Sequence, residues 1–268
     1  GYEEFKRNKG SEDFFYFLHS AGRLDERGNT IDVDKRRIYI DLVENRVYTV
    51  NNQYAGNSVG LKKLAFRLAI QKANSEDWLA EHMFLMGVHG KSDRVTYFSG
   101  AFPSACGKTS TAMLPGQTIV GDDIAYLRNI DGEMRGVNVE KGIFGIIQDV
   151  NPDDDPLIYE ALTTPREVIF SNVLVSNGKP YWLGMGQEPP NEGENFSGKW
   201  YKGKTDSKGK QIPYAHKNAR YTIAIDELMN ADKNINNPDG IKVEAIVYGG
   251  RDSDTTVPVA ESLSWAHG

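Results

Sequence analysis

A chain of 268 residues, 39% hydrophobic and 25% charged, is long enough to bury a core as one large domain or as parts of two. A net charge of −6 argues against a uniform nucleic-acid footprint, which needs a basic excess, but leaves room for a small basic pocket. The single cysteine, Cys106, excludes an intramolecular disulfide and fits a reducing compartment, and no apolar run approaches the roughly 20 residues that a membrane-spanning helix requires.

The N-terminus, Gly-Tyr-Glu-Glu-Phe-Lys-Arg, has no signal-peptide core and no initiator Met, and the chain stops at Trp265-Ala266-His267-Gly268. Both ends read as cuts in a longer chain, with the cytoplasm as the expected location. Residues 37–50 alternate apolar and polar on both sides of Glu44-Asn45, which predicts a β-hairpin. After a Gly/Asn/Ser turn at 54–58, Leu61, Leu64, Ala65, Leu68 and Ala69 fall at helical spacing and predict a helix over 61–73. Residues 78–88 start polar and become apolar, predicting a helix end that passes into a buried strand carrying His82. Residues 96–102 read as another strand, followed by a turn at 103–107 and a short helix that Pro115-Gly116 must end. A strand is expected over 118–127 with Gly121-Asp122-Asp123 in its middle, and buried strands over 168–175 and 243–248. The Gly/Lys/Asn/Glu-rich stretch 187–210 reads as a long exposed loop. With no internal repeat, the fold class is mixed α/β (α+β), rich in strands and poor in long helices.

The sharpest chemical signal is Phe102-Pro103-Ser104-Ala105-Cys106-Gly107-Lys108-Thr109, between a predicted strand and a predicted helix. Small residues let backbone N–H groups approach phosphate oxygens, and a helix N-terminus adds positive potential there. Lys108 is placed to reach β- and γ-phosphates, and the Thr109 hydroxyl to ligate Mg²⁺. The spacing departs from a Walker A loop, because Phe102 stands where the first glycine would be.

Asp122 and Asp123 sit in an apolar setting of Ile119, Val120, Ile124 and Ala125, where two carboxylates are costly to desolvate without cations. A metal pair is one reading, and a turn with exposed acids is the other. His82 alone reads more readily as a satisfied core histidine than as a ligand. Lys62 and Lys63 read as helix surface, and Arg220 and Arg251, each beside small residues, suit forked contacts to carboxylate or phosphate. Cys106 in its loop has the setting of a low-pKa thiol, but no histidine base is evident beside it.

Taken together these strings resemble GTP-dependent phosphoenolpyruvate carboxykinases. The matching pieces are Tyr54-Ala55-Gly56-Asn57-Ser58 with Lys62-Lys63, Trp78-Leu79-Ala80-Glu81-His82-Met83, the loop Phe102 to Thr109, and Val120-Gly121-Asp122-Asp123-Ile124-Ala125. Asn172-Val173, Asn218-Ala219-Arg220, Gly249-Gly250-Arg251 and Leu263-Ser264-Trp265-Ala266-His267-Gly268 extend the match. It runs from about residue 50 to the C-terminus, with the first 50 residues only faintly similar.

The resemblance implies a P-loop-type phosphate site between a strand and a short helix of a mixed sheet. It divides the chain into residues 1–77, the end of a substrate-binding lobe, and 78–268, the first part of a nucleotide- and metal-binding lobe. The implied reaction turns oxaloacetate and GTP into phosphoenolpyruvate, GDP and CO₂, with Mn²⁺ and Mg²⁺ as cofactors and only small molecules as partners. Lys62, His82 and Asp123 would hold Mn²⁺, and Asp122 and Thr109 the nucleotide's Mg²⁺. Ser104, Ala105, Cys106, Gly107, Lys108, Thr109, Ser110 and Arg251 would surround the nucleotide. Tyr54, Gly56, Ser104, Asn218 and Arg220 would bind substrate, and Cys106, Lys108, Arg220 and Arg251 would make up the catalytic set, with Cys106 not a nucleophile.

The metal lysine has two candidates. Counting forward from Asn57 selects Lys63, whereas counting back from His82 selects Lys62 and puts a one-residue deletion in the preceding loop, where deletions are better tolerated. Ala55, Ser110 and the segment Gln148-Asp149-Val150-Asn151-Pro152-Asp153-Asp154 depart from the family pattern and bear on the phosphoryl donor. Pyrophosphate or another donor, and a non-catalytic nucleotide- or metal-binding fragment, are the alternatives. The guanine pocket and the active-site lid fall outside the matched region, so the chain alone is expected to turn over little or nothing.

Overall fold

A computed structural model describes residues 7, 15–52, 58–103, 106–250, 259–264 and 266–267, without the side chains of 58–61. The N-terminal part holds β1 (Tyr16–Ser20), β2 (Arg37–Asp41) and β3 (Arg46–Val50), paired in the order β1-β3-β2 with β1 parallel and β2 antiparallel to β3. The predicted hairpin is β2–β3. The Asp41 carboxylate accepts the Val43 and Glu44 N–H groups at 2.9 and 3.0 Å, and Asn45 takes the left-handed φ of 51° that Asn tolerates. Helix α1 (Ser58–Ser75) follows, slightly longer than its apolar spacing predicts. Its Leu64 and Leu68 bury against Val47 of β3, and its Ala69 and Ala73 against Trp78 and Ala80.

The chain then runs through β4 (Leu79–Glu81), β5 (Phe84–His89), β6 (Val95–Ala101), α2 (Lys108–Ala112), β7 (Thr118–Gly121), β8 (Ala125–Ile130) and β9 (Glu133–Asn138). Next come β10 (Gly142–Ile146), α3 (Pro156–Thr163), β11 (Ile169–Ser171), β12 (Leu174–Ser176) and β13 (Lys179–Tyr181). The last strands are β14 (Glu192–Asn195), β15 (Gly198–Tyr201), β16 (Arg220–Ala224) and β17 (Ile241–Tyr248).

A seven-stranded mixed sheet, β4-β8-β9-β17-β6-β5-β7, carries the site, flanked by the small sheets β10-β16-β11 and β13-β12-β14-β15. Strands β5 and β7 are buried on both faces. Phe84 and Met86 join one core with Ile119, Ile143, Trp182 and Tyr221, while Met83 and Leu85 join another with Val120, Leu127 and Ile241. Successive side chains point to opposite faces, so adjacent residues feed different cores.

Four expected elements differ. Residues 78–88 contain no helix end but two strands, β4 and β5, broken at His82-Met83. Residues 118–127 are likewise two strands, β7 and β8, with Asp122 and Asp123 in the break. The breaks are matched. Glu81 pairs with Ala125 and Leu85 with Gly121, in the same antiparallel register, so both chains bend at one place and put His82 and the paired acids side by side. Residues 168–175 also divide: Asn172, at φ 60°, turns the chain from the β10-β16-β11 sheet into the β13-β12-β14-β15 sheet. The stretch 187–210 is mostly exposed, as expected, but it is not a loop throughout. It contains the β14–β15 hairpin, anchored by buried Trp200, whose indole N–H donates to the Ile212 carbonyl at 2.9 Å. Its polar composition belongs to the outward faces, and a single tryptophan supplies the packing that composition alone conceals.

Candidate active site

The loop between β6 and α2 is held at its start by Phe102, packed edge-on against Phe84 at 5.4 Å between ring centroids. At its end Gly107 is the N-cap of α2 with a left-handed φ of 86°, a conformation that side chains disfavour. Thr111 N–H donates to the Gly107 carbonyl at 2.8 Å, which closes the first turn. Lys108 is therefore the first helical residue. Its ammonium donates to the Asp123 carboxylate and, at 3.4 Å, lies near the Asp123 carbonyl.

Asp123 is the focus of the site. Lys62 from α1 pairs with it, and the His82 imidazole Nε2 lies 2.6 Å from its Oδ1. Lys62 also pairs with Glu140 at 2.7 Å, at the junction of β9 and β10. Burial works against ionisation of Asp123, but the His82 hydrogen bond and the Lys108 and Lys62 charges outweigh it and hold this carboxyl far below the usual range. Burial works against the Lys62 ammonium too, and the two carboxylates more than compensate, raising its pKa. Glu140 goes the other way: burial pushes it up despite Lys62.

Asp122 has the opposite environment from its neighbour. Burial first, and then the charges of Asp123 and Glu140, push it up to about 7. Its Oδ1 and the Glu140 Oε2 are buried without a hydrogen-bond partner. Among the described residues no three His, Cys, Asp or Glu groups gather as a ready ligand set. The donor set is a mixed one of amine, imidazole and carboxylate, with unsatisfied carboxylate oxygens behind it, and that chemistry fits a divalent cation.

A cleft of about 710 Å³ opens over these groups. Lys62, Lys63, Phe66, His82, Gly107, Lys108, Thr109, Ser110, Asp123 and Arg220 line it, together with Asp155 and with Gln148 from the segment that departs from the family pattern. Arg220 lies over the Phe144 ring, 5.3 Å from its centroid. Its guanidinium donates twice to the Asn218 Oδ1, at 3.1 and 2.9 Å, so Asn218 stands behind Arg220 rather than on the cleft wall. Cys106 is half-buried and Asp122 buried, and neither lines the cleft. Tyr54, Gly56, Ser104, Ala105 and Arg251 lie outside the described residues. A second cavity of about 320 Å³, beside Tyr97, Arg135 and Lys242, contains none of the predicted site residues.

Sequence reasoning missed Glu140 and Asp155; of its two candidates for the metal lysine, Lys62 pairs with Asp123 and Lys63 lines the cleft. Glu140 has no local signature: only the fold brings its strand end to Lys62, 78 positions earlier.

The family model of the phosphoenolpyruvate carboxykinase C-terminal P-loop domain matches residues 78–268, and that of the phosphoenolpyruvate carboxykinase N-terminal domain matches residues 1–74. The chain belongs to the phosphoenolpyruvate carboxykinase family. The match over 1–74 corrects the expectation that the first 50 residues are only faintly similar. The chain is 59% identical over 269 residues to a phosphoenolpyruvate carboxykinase [GTP] of Pyrococcus horikoshii, covering 100% of this chain and 43% of the relative. Proteins of the same name from Saccharolobus solfataricus and Chlamydia trachomatis are 46% identical over 268 residues and 37% identical over 275, covering 41% and 44% of those proteins. The chain thus spans less than half the length of these carboxykinases.

Proposed function

We propose that the protein carrying this chain is a GTP-dependent phosphoenolpyruvate carboxykinase that converts oxaloacetate and GTP to phosphoenolpyruvate, GDP and CO₂. The observation that carries this reading is the meeting of Lys62, His82, Lys108 and Asp123 in one cleft with Arg220. These residues come from α1, the two strand breaks, the phosphate loop and β16. Each would be unremarkable alone.

Asp123, His82 and Lys62 would hold Mn²⁺. When bound, the cation supplies positive charge for the oxygen-centred anion that decarboxylation leaves. Lys108 neutralises β/γ-phosphate oxygens, and its present contact with Asp123 keeps the ammonium poised at the junction of the metal and phosphate positions. Thr109 and Asp122 would serve Mg²⁺ of the nucleotide, Asp122 by way of its unsatisfied Oδ1. Arg220, oriented by Asn218, binds a substrate carboxylate as a planar fork. The transfer to oxygen needs positioning and charge neutralisation and no general base, which suits a site of cations.

GTP as the donor is supported by the name, phosphoenolpyruvate carboxykinase [GTP], shared by relatives from 59% to 37% identity. Ser110 and Gln148, which depart from the family pattern, stand on the cleft wall and bear on this donor site. We assign residues 1–77 to the substrate-binding lobe, 78–268 to the nucleotide- and metal-binding lobe, and the protein to gluconeogenic or anaplerotic metabolism in the cytoplasm. Among the described residues no helix is long and apolar enough to cross a membrane.

The deciding experiment measures phosphoenolpyruvate formation from oxaloacetate by the complete protein with GTP, ITP, ATP and pyrophosphate, and Mn²⁺-dependent oxaloacetate decarboxylation by wild type and His82→Ala. GTP-supported turnover, with decarboxylation lost in the variant, is expected. Equal decarboxylation by the two proteins would overturn the metal assignment, and turnover with pyrophosphate but not GTP would replace the donor.

A further inference from the structure

Lys62 touches two carboxylates, and only one of them, Asp123, is a ligand in the reading above. The other, Glu140, comes from a different turn and is itself held in place. Asn138 accepts the Glu140 N–H through its Oδ1 at 3.1 Å and donates its Nδ2 to the Glu140 carbonyl at 2.6 Å, which locks the chain where β9 ends. Asn138 is in turn fitted against Gly121. A Cβ on Gly121 would come within 2.7 Å of the Asn138 Oδ1 and 2.8 Å of its Cβ, so the last residue of β7 has to be glycine for this turn to pack. The carboxylate so placed is mostly buried, with Oε1 on Lys62 at 2.7 Å and Oε2 without a partner.

We propose that Glu140 is the positioning residue of the metal-site lysine, acting on a bound divalent cation through Lys62 without ligating it. This rests on the metal reading of the cleft. To ligate a cation the Lys62 ammonium would give up one proton to solvent, which the cation's positive charge favours; the amine then keeps two N–H bonds and a single lone pair, so its aim is set by where those hydrogens are held. Glu140 accepts one N–H and thereby turns the lone pair toward the space that Asp123 and His82 face. An outer carboxylate also makes its partner a stronger donor. The contact has a second consequence. Lys62 belongs to α1 and Glu140 to the β9–β10 junction, so the same pair ties the helix to the sheet that carries the phosphate loop. The ligand set is thus assembled across two regions of the chain, and the tether lies outside the first layer of ligands.

The test uses the complete protein and Mn²⁺ alone, with free Mn²⁺ followed by electron paramagnetic resonance, so that the readout is affinity rather than activity. Glu140→Gln keeps the shape and loses the charge, and is expected to weaken Mn²⁺ binding about 10- to 100-fold. Its melting temperature in chelator should stay near that of wild type. Glu140→Asp, which withdraws the carboxylate by one methylene, is expected to weaken binding to a smaller extent and serves in place of Glu140→Gln if that variant does not fold. Asp123→Asn is measured in parallel. Loss of Mn²⁺ binding in Asp123→Asn with unchanged affinity in both Glu140 variants would overturn the positioning role and leave the metal reading standing. Unchanged affinity in Asp123→Asn as well would remove the metal reading and Glu140 with it.

Discussion

Two regions of this molecule use the same kinds of charged side chain to different ends. Around the N-terminal sheet, Arg23 donates twice to Asp32, at 2.9 and 3.0 Å, and Lys35 adds a third contact at 3.3 Å. Asp32 itself is 15% exposed, but its cations Arg23 and Lys35 are 73% and 66% exposed, and ion pairs with solvated cations are screened and contribute little. In the cleft, the Lys62 and Lys108 ammoniums, 24% and 11% exposed, and an imidazole meet on Asp123, while Asp122 beside it is buried and pushed toward its neutral form. The geometry of each individual contact is similar in the two places. What differs is how much water the fold removes, and with it how much the charges affect one another.

The largest effect that this contrast predicts is at Lys108. In the complete protein Lys108→Ala is expected to lower phosphoryl transfer about 10³-fold, with little change in melting temperature, and steady-state kinetics measure it. A loss of only a few-fold would place the phosphate position elsewhere. Next comes Asn218→Ala, which frees the Arg220 guanidinium. Losing a hydrogen bond to a charged group there should raise KM for oxaloacetate about tenfold while kcat changes little. An effect on kcat alone would mean that Asn218 does not act through substrate binding.

Smaller, and dependent on pH, is the effect at Asp122. Burial raises this carboxyl from 3.8 to about 7, so the folded chain keeps a proton that the unfolded chain has released, and stability falls as pH rises between those values. In chelator, Asp122→Asn should therefore melt above wild type by about 2–6 °C at pH 8, with the gap closing by pH 4. Saturating Mn²⁺ or Mg²⁺ should shrink or reverse it, since a cation favours the charged acid. The smallest effect is expected at Asp32. Hydrogen bonds from Arg23 and Lys35 lower its pKa to about 2, so its contribution is present above 3.8 and disappears as pH falls through about 2. Because its partners Arg23 and Lys35 are solvated, Asp32→Asn should leave the melting temperature at pH 7 within about 1 °C of wild type. A large shift there would erase the distinction between the two regions.

Several parts of this architecture were legible in the chain itself. The hairpin at 37–50 and the helix beginning near Leu61 follow from periodicity, and the phosphate loop from small residues between strand and helix with Gly107 at the turn. The strand breaks were only half legible: Gly121-Asp122-Asp123 left a turn open as one of two readings, but 78–88, polar at first and then apolar, read as a helix end entering a single strand because β5 is buried on both faces. The choice between Lys62 and Lys63 likewise had to be argued from where a deletion is tolerated, whereas in the fold Lys62 reaches Asp123 and Lys63 only lines the cleft.

By itself, then, the sequence determined the local pieces: a glycine-ended phosphate loop, a paired acid, an imidazole, a lysine-bearing helix and an arginine beside small residues. Tertiary structure alone decided that Glu81 faces Ala125 and Leu85 faces Gly121, which sets both bends together, and that Glu140 comes within reach of Lys62. The physical reason is that local conformation is governed by sterics and periodicity over a few residues. The meeting of groups 41, 61 and 78 positions apart is instead governed by strand register and by which faces two cores must bury.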